Sequence, residues 1–305
     1  MAFTDASLTA LRVFREVAER GTLTAAAVAL GYTQSAVSRQ IASLERAAGT
    51  PLLRRGHDGV RLTAAGRLVL RRAAIVVDQI DAAARELAGL PDERATVRLG
   101  WIASAGAWLL PRALADLRRT HPGITVVTRE GSTPALVRAL RAGTIDLAVL
   151  ASAPPFRPPD AESPALSLRT LAERSLCVAV PATDPLARGE SIDVADLHGR
   201  QWIAGPASED RLMGVWPGLG ERPVVAHTAR DWLAKLQLVA AGCGLTTVPA
   251  AMSRAAPEGV RILPVRGGPR EQRRLLLARL PTPPPEPVLR LAEALRAAAV
   301  TDSPS

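Results

Sequence analysis

Three short helical periodicities, one heptad pattern and a later alternation of strands with helices predict a chain in three parts. The first is an N-terminal winged helix-turn-helix, mainly α. A long linker helix follows it, and then an α/β domain of two lobes. A length of 305 residues suits two or three folded units better than one.

Leu8, Leu11, Phe14 and Val17 recur every three residues and mark one face of a first helix. Gly21 ends it, and Thr22-Leu23-Thr24 offers capping hydroxyls before an alanine-rich second helix, Ala25 to Leu30. Gly31 stops that helix and Thr33 can cap a third, whose buried line is Val37, Ile41 and Leu44. Projected at about 100° per residue, Ser35, Arg39, Ala42 and Arg46 fall opposite that line. Ser38 lies beside them and Gln34 near the first turn. Two compact helices joined by a short Gly-containing turn make a helix-turn-helix, whose second helix meets base edges in the major groove. Gln pairs through two bonds with adenine, Arg with guanine, and Ser adapts to base or phosphate. A lone Q-S-x-x-S-R could equally be a solvated face; its surroundings favour the reading role.

Between Gly49 and Gly66 the turn residues Gly56, Asp58 and Gly59 separate Leu52-Leu53 from Val60 to Leu62. This is a two-stranded wing bearing Arg54, Arg55 and Arg61, placed for phosphate or minor-groove contact. Thr63 can cap the long helix that follows, Ala64 to Leu87. There Val69, Ala73, Val76, Ile80, Ala83 and Leu87 form a heptad seam by which two copies could pair. The alternative is a single amphipathic helix lying on its own domain. Pairing matters because a dimer reads two half-sites. Gly89 to Ala95, with Pro91 and flanking charges, reads as a hinge.

From Thr96 strands and helices alternate: VRLGWI, the helix LLPRALADLRRTHP, the strand ITVVTREG, the helix STPALVRALRAG and the strand IDLAVLA. A largely parallel sheet is expected. Residues 171–182 open a second lobe, which continues through DVADLHG, QWIAG, VVAHT, the helix WLAKLQLVAAG and LTTVP. RRLLLARL, Arg273 to Leu280, reads as a returning strand and VLRLAEALRAAAV as a closing helix. Pro281 to Pro287 is a stiff connector. The expected boundaries are 1–63 for the winged helix-turn-helix, 64–90 for the linker helix and 91–300 for the α/β domain. Lobe I then covers about 95–165 plus 268–300 and lobe II about 166–267, with 301–305 a disordered tail.

Net charge is +9, but +6 of it lies beyond residue 94, where 25 basic face 19 acidic side chains. Basicity is therefore compatible with nucleic acid without pointing to it. Lys235 is the only lysine, so nearly every cation is a guanidinium suited to forked contacts. Cys177 and Cys243 are isolated, so neither a disulfide framework nor a metal site is expected, and no cofactor. The N-terminus has no basic stretch followed by a long apolar run, and no apolar run reaches spanning length, so a cytoplasmic protein without a membrane partner is expected.

The ordered set L-x-x-F-x-x-V-A-E-x-G-T-L-T-A-A-A-x-x-L, T-Q-S-A-V-S-R-Q-I-x-x-L-E, G-T-P-L-L-x-R and V-x-L-T-A-A-G closely resembles the LysR-type transcriptional regulators. So do G-W-I-x-x-x-x-x-x-L-L-P and L-V-A-A-G-C-G-L-T-T-V-P further on. DPLA, Asp184 to Ala187, departs from a His that commonly precedes this Pro in relatives. The resemblance implies two Rossmann-like lobes similar to a periplasmic binding protein, and dimers assembling into homotetramers on promoter DNA. It implies contact with an interrupted inverted repeat through Gln34, Ser35, Ser38 and Arg39, through Arg55 in the wing, and through Thr63 at a phosphate. RNA polymerase is an implied partner if the protein activates.

The resemblance also implies a small-molecule effector, often a carboxylate, held between the lobes. Helix starts near Ser104 and at Ser132-Thr133 offer free amides and hydroxyls for it. The facing lobe contributes Ala204, and less directly His227 and Thr228. Each hydroxyl has the alternative role of a plain cap. Trp108 is either a pocket wall or core, and no Arg stands out as a carboxylate clamp. G-x-S-x-G, G-x-G-x-x-G and H-E-x-x-H are absent from the sequence, so no catalytic activity is expected. A solute-binding transport protein would share the lobes but not the reading helix. A constitutive regulator without an inducer stays open.

Overall fold

The structure is a computed structural model that describes residues 3, 6–56, 59–87, 95–205, 214–219, 222–268 and 271–300. Expectations for Asp58, for the hinge at 89–94 and for the tail 301–305 lie outside the described residues, as do those for the side chains of Arg55, Ala83 and Leu87.

The N-terminal unit consists of α1 (Leu8–Arg20), α2 (Leu23–Leu30) and α3 (Gln34–Ala48) with the hairpin β1 (Leu53–Gly56) and β2 (Gly59–Leu62). Each helix starts at a hydroxyl cap: Ser7, Thr22 and Thr33 accept from Ala10, Ala25 and Ala36 amides at 3.1, 3.1 and 3.2 Å. Each ends on a left-handed glycine, Gly21, Gly31 and Gly49. The second helix thus begins two residues earlier than expected, because Thr22 rather than Thr24 is the cap. Phe14, Val17, Val37 and Leu44 are fully buried and form its core. Gly59 brings the wing against the first inter-helix turn. A Cβ there would stand 2.4 Å from the Gly21 carbonyl oxygen, which accepts the Val60 amide at 2.9 Å.

α4 (Ala64–Leu87) leaves the wing. Leu70, Ala73, Ala74 and Val77 are buried against the same chain, whereas Leu68, Ile75, Val76 and Ile80 are exposed. The expected seam is therefore rotated: Ala73 is buried and Val69 packs against the N-terminal core that Leu70 closes. The exposed apolar stripe is displaced onto Leu68 and Ile75, with Val76 and Ile80 retained.

The α/β region runs β3 (Ala95–Trp101), α5 (Ala103–Gly106), α6 (Leu109–Thr120), β4 (Ile124–Glu130), α7 (Thr133–Arg141) and β5 (Leu147–Ser152). It continues through β6 (Ser167–Pro181), β7 (Ile192–Asp193), β8 (Gln201–Ala204), β9 (Val224–Thr228), α8 (Trp232–Ala240), β10 (Thr246–Pro249), β11 (Val260–Arg266), β12 (Gln272–Arg279) and α9 (Glu286–Val300). Strand order in the main sheet is β4-β3-β5-β12-β6-β11-β7, with β10 also paired to β6.

The sheet is mixed, not largely parallel. β3 pairs in parallel with β4 and β5, but β12 pairs antiparallel with both β5 and β6, and β10 and β11 pair antiparallel with β6. The cause is the length of β6, whose 15 residues cross both lobes. Ser167–Ser175 pair with β12, while Leu176–Pro181 pair with β10 and β11. A strand that traverses the molecule must be met by chain returning in the opposite sense. β11, not expected from the sequence, contains Pro264, which cannot donate to a ladder and so disguises the strand.

α6 and α9 cover one face of the lobe I sheet, with Leu109, Leu117, Leu291 and Leu295 among their buried residues. Trp108 belongs to this core, with the Arg174 guanidinium 5.4 Å from its ring centre. Arg141, 8% exposed, anchors the segment after β5: its fork meets Asp160 at 2.9 and 3.0 Å and the Pro164 carbonyl at 2.7 Å. α1 leans on α7, where Arg138 Nε donates to the Glu19 carbonyl at 2.9 Å, and on β4, whose Arg129 pairs with the buried Glu19 carboxylate.

Candidate functional site

Two surfaces emerge. The first is the outer face of α3, where Gln34, Ser35, Arg39, Ala42 and Arg46 are exposed and Ser38 is half-buried, opposite fully buried Val37 and Leu44. Thr33 both caps the helix and lies 3.0 Å from Ser35 Oγ, which ties that hydroxyl to the first turn. The wing sits beside this helix because Glu45, the last residue of the T-Q-S-A-V-S-R-Q-I-A-S-L-E stretch, accepts the Leu52 and Leu53 amides at 2.8 and 3.1 Å. Sequence reading missed this role. A lone Glu near a helix end, eight residues before a strand, carries no local signal of it.

Thr63 caps α4 as expected, while its proton goes to backbone. Its hydroxyl donates to the Pro51 carbonyl at 2.8 Å and accepts the Gly66 amide at 2.9 Å. A hydroxyl has one proton. With that proton on Pro51, Thr63 fastens α4 to the wing and has no donor left for a phosphate oxygen.

The second surface is a cavity of about 250 Å³ lined by Trp101, Gly106, Glu130, Arg230, Trp232 and Met252, with Ala103, Ala107 and Asp231. It lies between the C-terminal ends of β3 and β4 on one side and the start of α8 on the other. Gly106 allows the Trp101 ring to lie flat at the wall, since a Cβ there would stand 2.2 Å from the ring. Asp231 caps α8, accepting the Ala234 amide at 2.7 Å. Lys235 Nζ stands 4.8 Å from the Trp232 ring centre, and burial lowers its pKa from the ordinary lysine value.

None of the six expected pocket residues lines this cavity, although Ser104 directly follows the lining residue Ala103. Ser104, between Ala103 and the helix end Gly106, sits on α5, which is one turn long, so the expected anion-binding helix start there is not built. Trp108 breaks the helical run and α6 begins only at Leu109. Ser132 is two residues from Glu130 and serves as the cap of α7, accepting the Ala135 amide at 3.4 Å. Thr133 Oγ1 is shared with the Ala151 backbone, donating to its carbonyl at 3.3 Å and accepting its amide at 3.2 Å. Ala204 is buried in the lobe II core, and His227 and Thr228 are exposed on β9, opposite Ile203 and Ala204. The lining that sequence reading missed comes from strand ends and from the A-R-D-W start of α8. Only the strand ends could have been found, as the usual place for ligands in an α/β sheet.

Among the described residues no cluster of His, Cys, Asp or Glu is built to hold a metal, and no helix is long and apolar enough to cross a membrane. Cys177 is buried, which pushes its thiol up to about 11 and keeps it protonated and unreactive at neutral pH.

Residues 8–67 match the model for the bacterial regulatory helix-turn-helix protein, lysR family, and residues 91–300 that for the LysR substrate binding domain. Among curated proteins the chain is 33% identical over 248 residues to a probable hydrogen peroxide-inducible genes activator of Mycobacterium avium, covering 80% of this chain and 78% of that protein. It is 32% identical over 261 residues to the HTH-type transcriptional regulator TtuA of Agrobacterium vitis, 84% of each. A solved structure of a full-length OxyR variant from Pseudomonas aeruginosa shares the fold, with TM-score 0.60 at 24% identity over 96% of this chain and 94% of that one. The substrate-binding match alone spans more than half of the sequence, and the chain belongs to the LysR family of bacterial helix-turn-helix regulators.

Proposed function

We propose that this regulator binds an interrupted inverted repeat in promoter DNA by laying α3 into the major groove. Gln34, Ser35, Ser38 and Arg39 read base edges, and Arg55 adds a phosphate contact from the wing. The observation that carries this is the first half of α3, where every outward residue can donate or accept a hydrogen bond and every inward one is core. Two copies pair along the exposed stripe Leu68, Ile75, Val76 and Ile80 of α4, and dimers assemble into homotetramers. Residues 1–63 form the reading unit, 64–90 the pairing helix and 91–300 the sensing unit. The protein works in the cytoplasm and catalyses no reaction. Where it activates, RNA polymerase is its partner.

A small molecule in the cavity between β3, β4 and α8 switches it. Relatives from three Mycobacterium species are named for hydrogen peroxide, but burial of Cys177, which pushes its thiol up to about 11, favours a bound effector over oxidation of that residue. Arg39→Ala tests the reading face. Loss of one forked base contact costs about 1–3 kcal/mol, so specific affinity should fall roughly 5- to 150-fold at fixed salt while the melting temperature holds. Footprints unchanged at every concentration would remove Arg39 from the interface.

A further inference from the structure

We infer that the effector is a small zwitterion with an apolar side chain, an α-amino acid by chemical class; this rests on the cleft reading above. Opposite walls of the cavity carry opposite charges. Glu130 closes β4 on lobe I, and Arg230 precedes the cap of α8 on lobe II. Both are exposed, and among the described residues neither side chain makes a hydrogen bond or ion pair. Asp231, the other acid, already has an oxygen on the Ala234 amide. Between the two walls the lining is Trp101, Trp232 and Met252 with small Ala103, Gly106 and Ala107. The chain has only five Trp and three Met, and three of those eight residues converge here.

A simple carboxylate could meet Arg230 but would lie beside Glu130 and Asp231. A simple amine would face Arg230, with Lys235 behind Trp232. A molecule bearing both groups satisfies both walls: its carboxylate accepts from the Arg230 fork and its ammonium donates to Glu130. Its side chain then rests on the indoles. The volume of about 250 Å³ lies below the roughly 300–1,000 Å³ of sites for drug-sized ligands and suits a small molecule. Because Glu130 and Arg230 belong to different lobes, one such ligand bridges them, and bridging is what a switch requires.

The test uses the full chain, thermal-shift and calorimetric titration, and two sets of probes. One set is L-phenylalanine, phenethylamine and 3-phenylpropanoate; the other is L-leucine, isopentylamine and 4-methylpentanoate. At least one amino acid should bind, with both of its half-charged analogues about tenfold weaker or worse. Glu130→Gln should bring the amino acid down to the level of the acid, and Arg230→Met down to that of the amine. An acid or amine that binds as well as its amino acid overturns the zwitterion while leaving the cleft. Ala107→Trp, which obstructs the cavity at an exposed residue, separates the remaining cases. If no probe binds, yet a metabolite extract alters operator binding by the parent and not by Ala107→Trp, the ligand class is wrong and the cleft reading survives. If the extract acts equally on both, the cleft reading falls as well.

Discussion

Replacing Glu45 by Ala isolates the contact that sets the wing beside the reading helix. One carboxylate oxygen accepts two amides, Leu52 at 2.8 Å and Leu53 at 3.1 Å, in a half-buried place. Hydrogen bonds to a charged group contribute about 1.5–3 kcal/mol each. Partial access of water and the shared acceptor favour the low end, so local opening of the hairpin should become easier by about 2 kcal/mol. That is roughly a 30-fold rise in the hydrogen-exchange rate of amides from Leu52 to Leu62, read by mass spectrometry on the intact chain. Glu45→Gln keeps an acceptor without the charge and should give a smaller rise. Operator affinity supplies a second sign. Removing an acid beside DNA would by electrostatics alone tighten binding, whereas a displaced wing weakens it. Exchange within about threefold of the parent, together with tighter operator binding, would refute the positioning role of Glu45.

Asp at both Val76 and Ile80, each 45% exposed, places charge in the proposed pairing stripe, and light scattering should report monomers in place of dimers. Asp160→Ala leaves the buried Arg141 guanidinium with two carbonyls and the more distant Glu162 carboxylate at 3.9 Å, a loss of about 3 kcal/mol, the low end for a broken buried pair, in denaturant stability of the α/β region; Arg141→Met combined with Asp160→Leu should recover part of it. Lys235→Met should stabilise the chain at pH 7. Burial lowers the folded-state pKa, so between that value and 10.5 the unfolded chain holds a proton that the folded chain has released, and parent stability rises with pH through that window. The advantage of Lys235→Met should therefore shrink as pH approaches 10.5, and a gap independent of pH would contradict it.

Local chemistry accounts for what was legible without tertiary structure. The caps, the glycine stops, the inward line of α3 and hence its outward polar face depend on neighbours within one or two turns, and a helical repeat exposes these directly. The wing and the succession of strands and helices follow from equally local signals. Which of two faces is covered depends on a distant surface, and there the sequence is silent. Leu70 on the inner stripe of α4 closes the N-terminal core, and Ala73 is buried on the same side of the helix. Thr63 gives its proton to a carbonyl 12 residues earlier. β6 joins both lobes because strands nearly 100 residues later return antiparallel to it. The cavity draws its wall from residues 101–107, 130, 230–232 and 252, four stretches that only the closed fold brings together. Hydroxyls at helix starts marked the neighbourhood of that cavity, but backbone amides and carbonyls claimed Ser132 and Thr133, leaving Glu130 and Arg230 to face it. Periodicity reports which side of an element is apolar; only packing decides what each side meets.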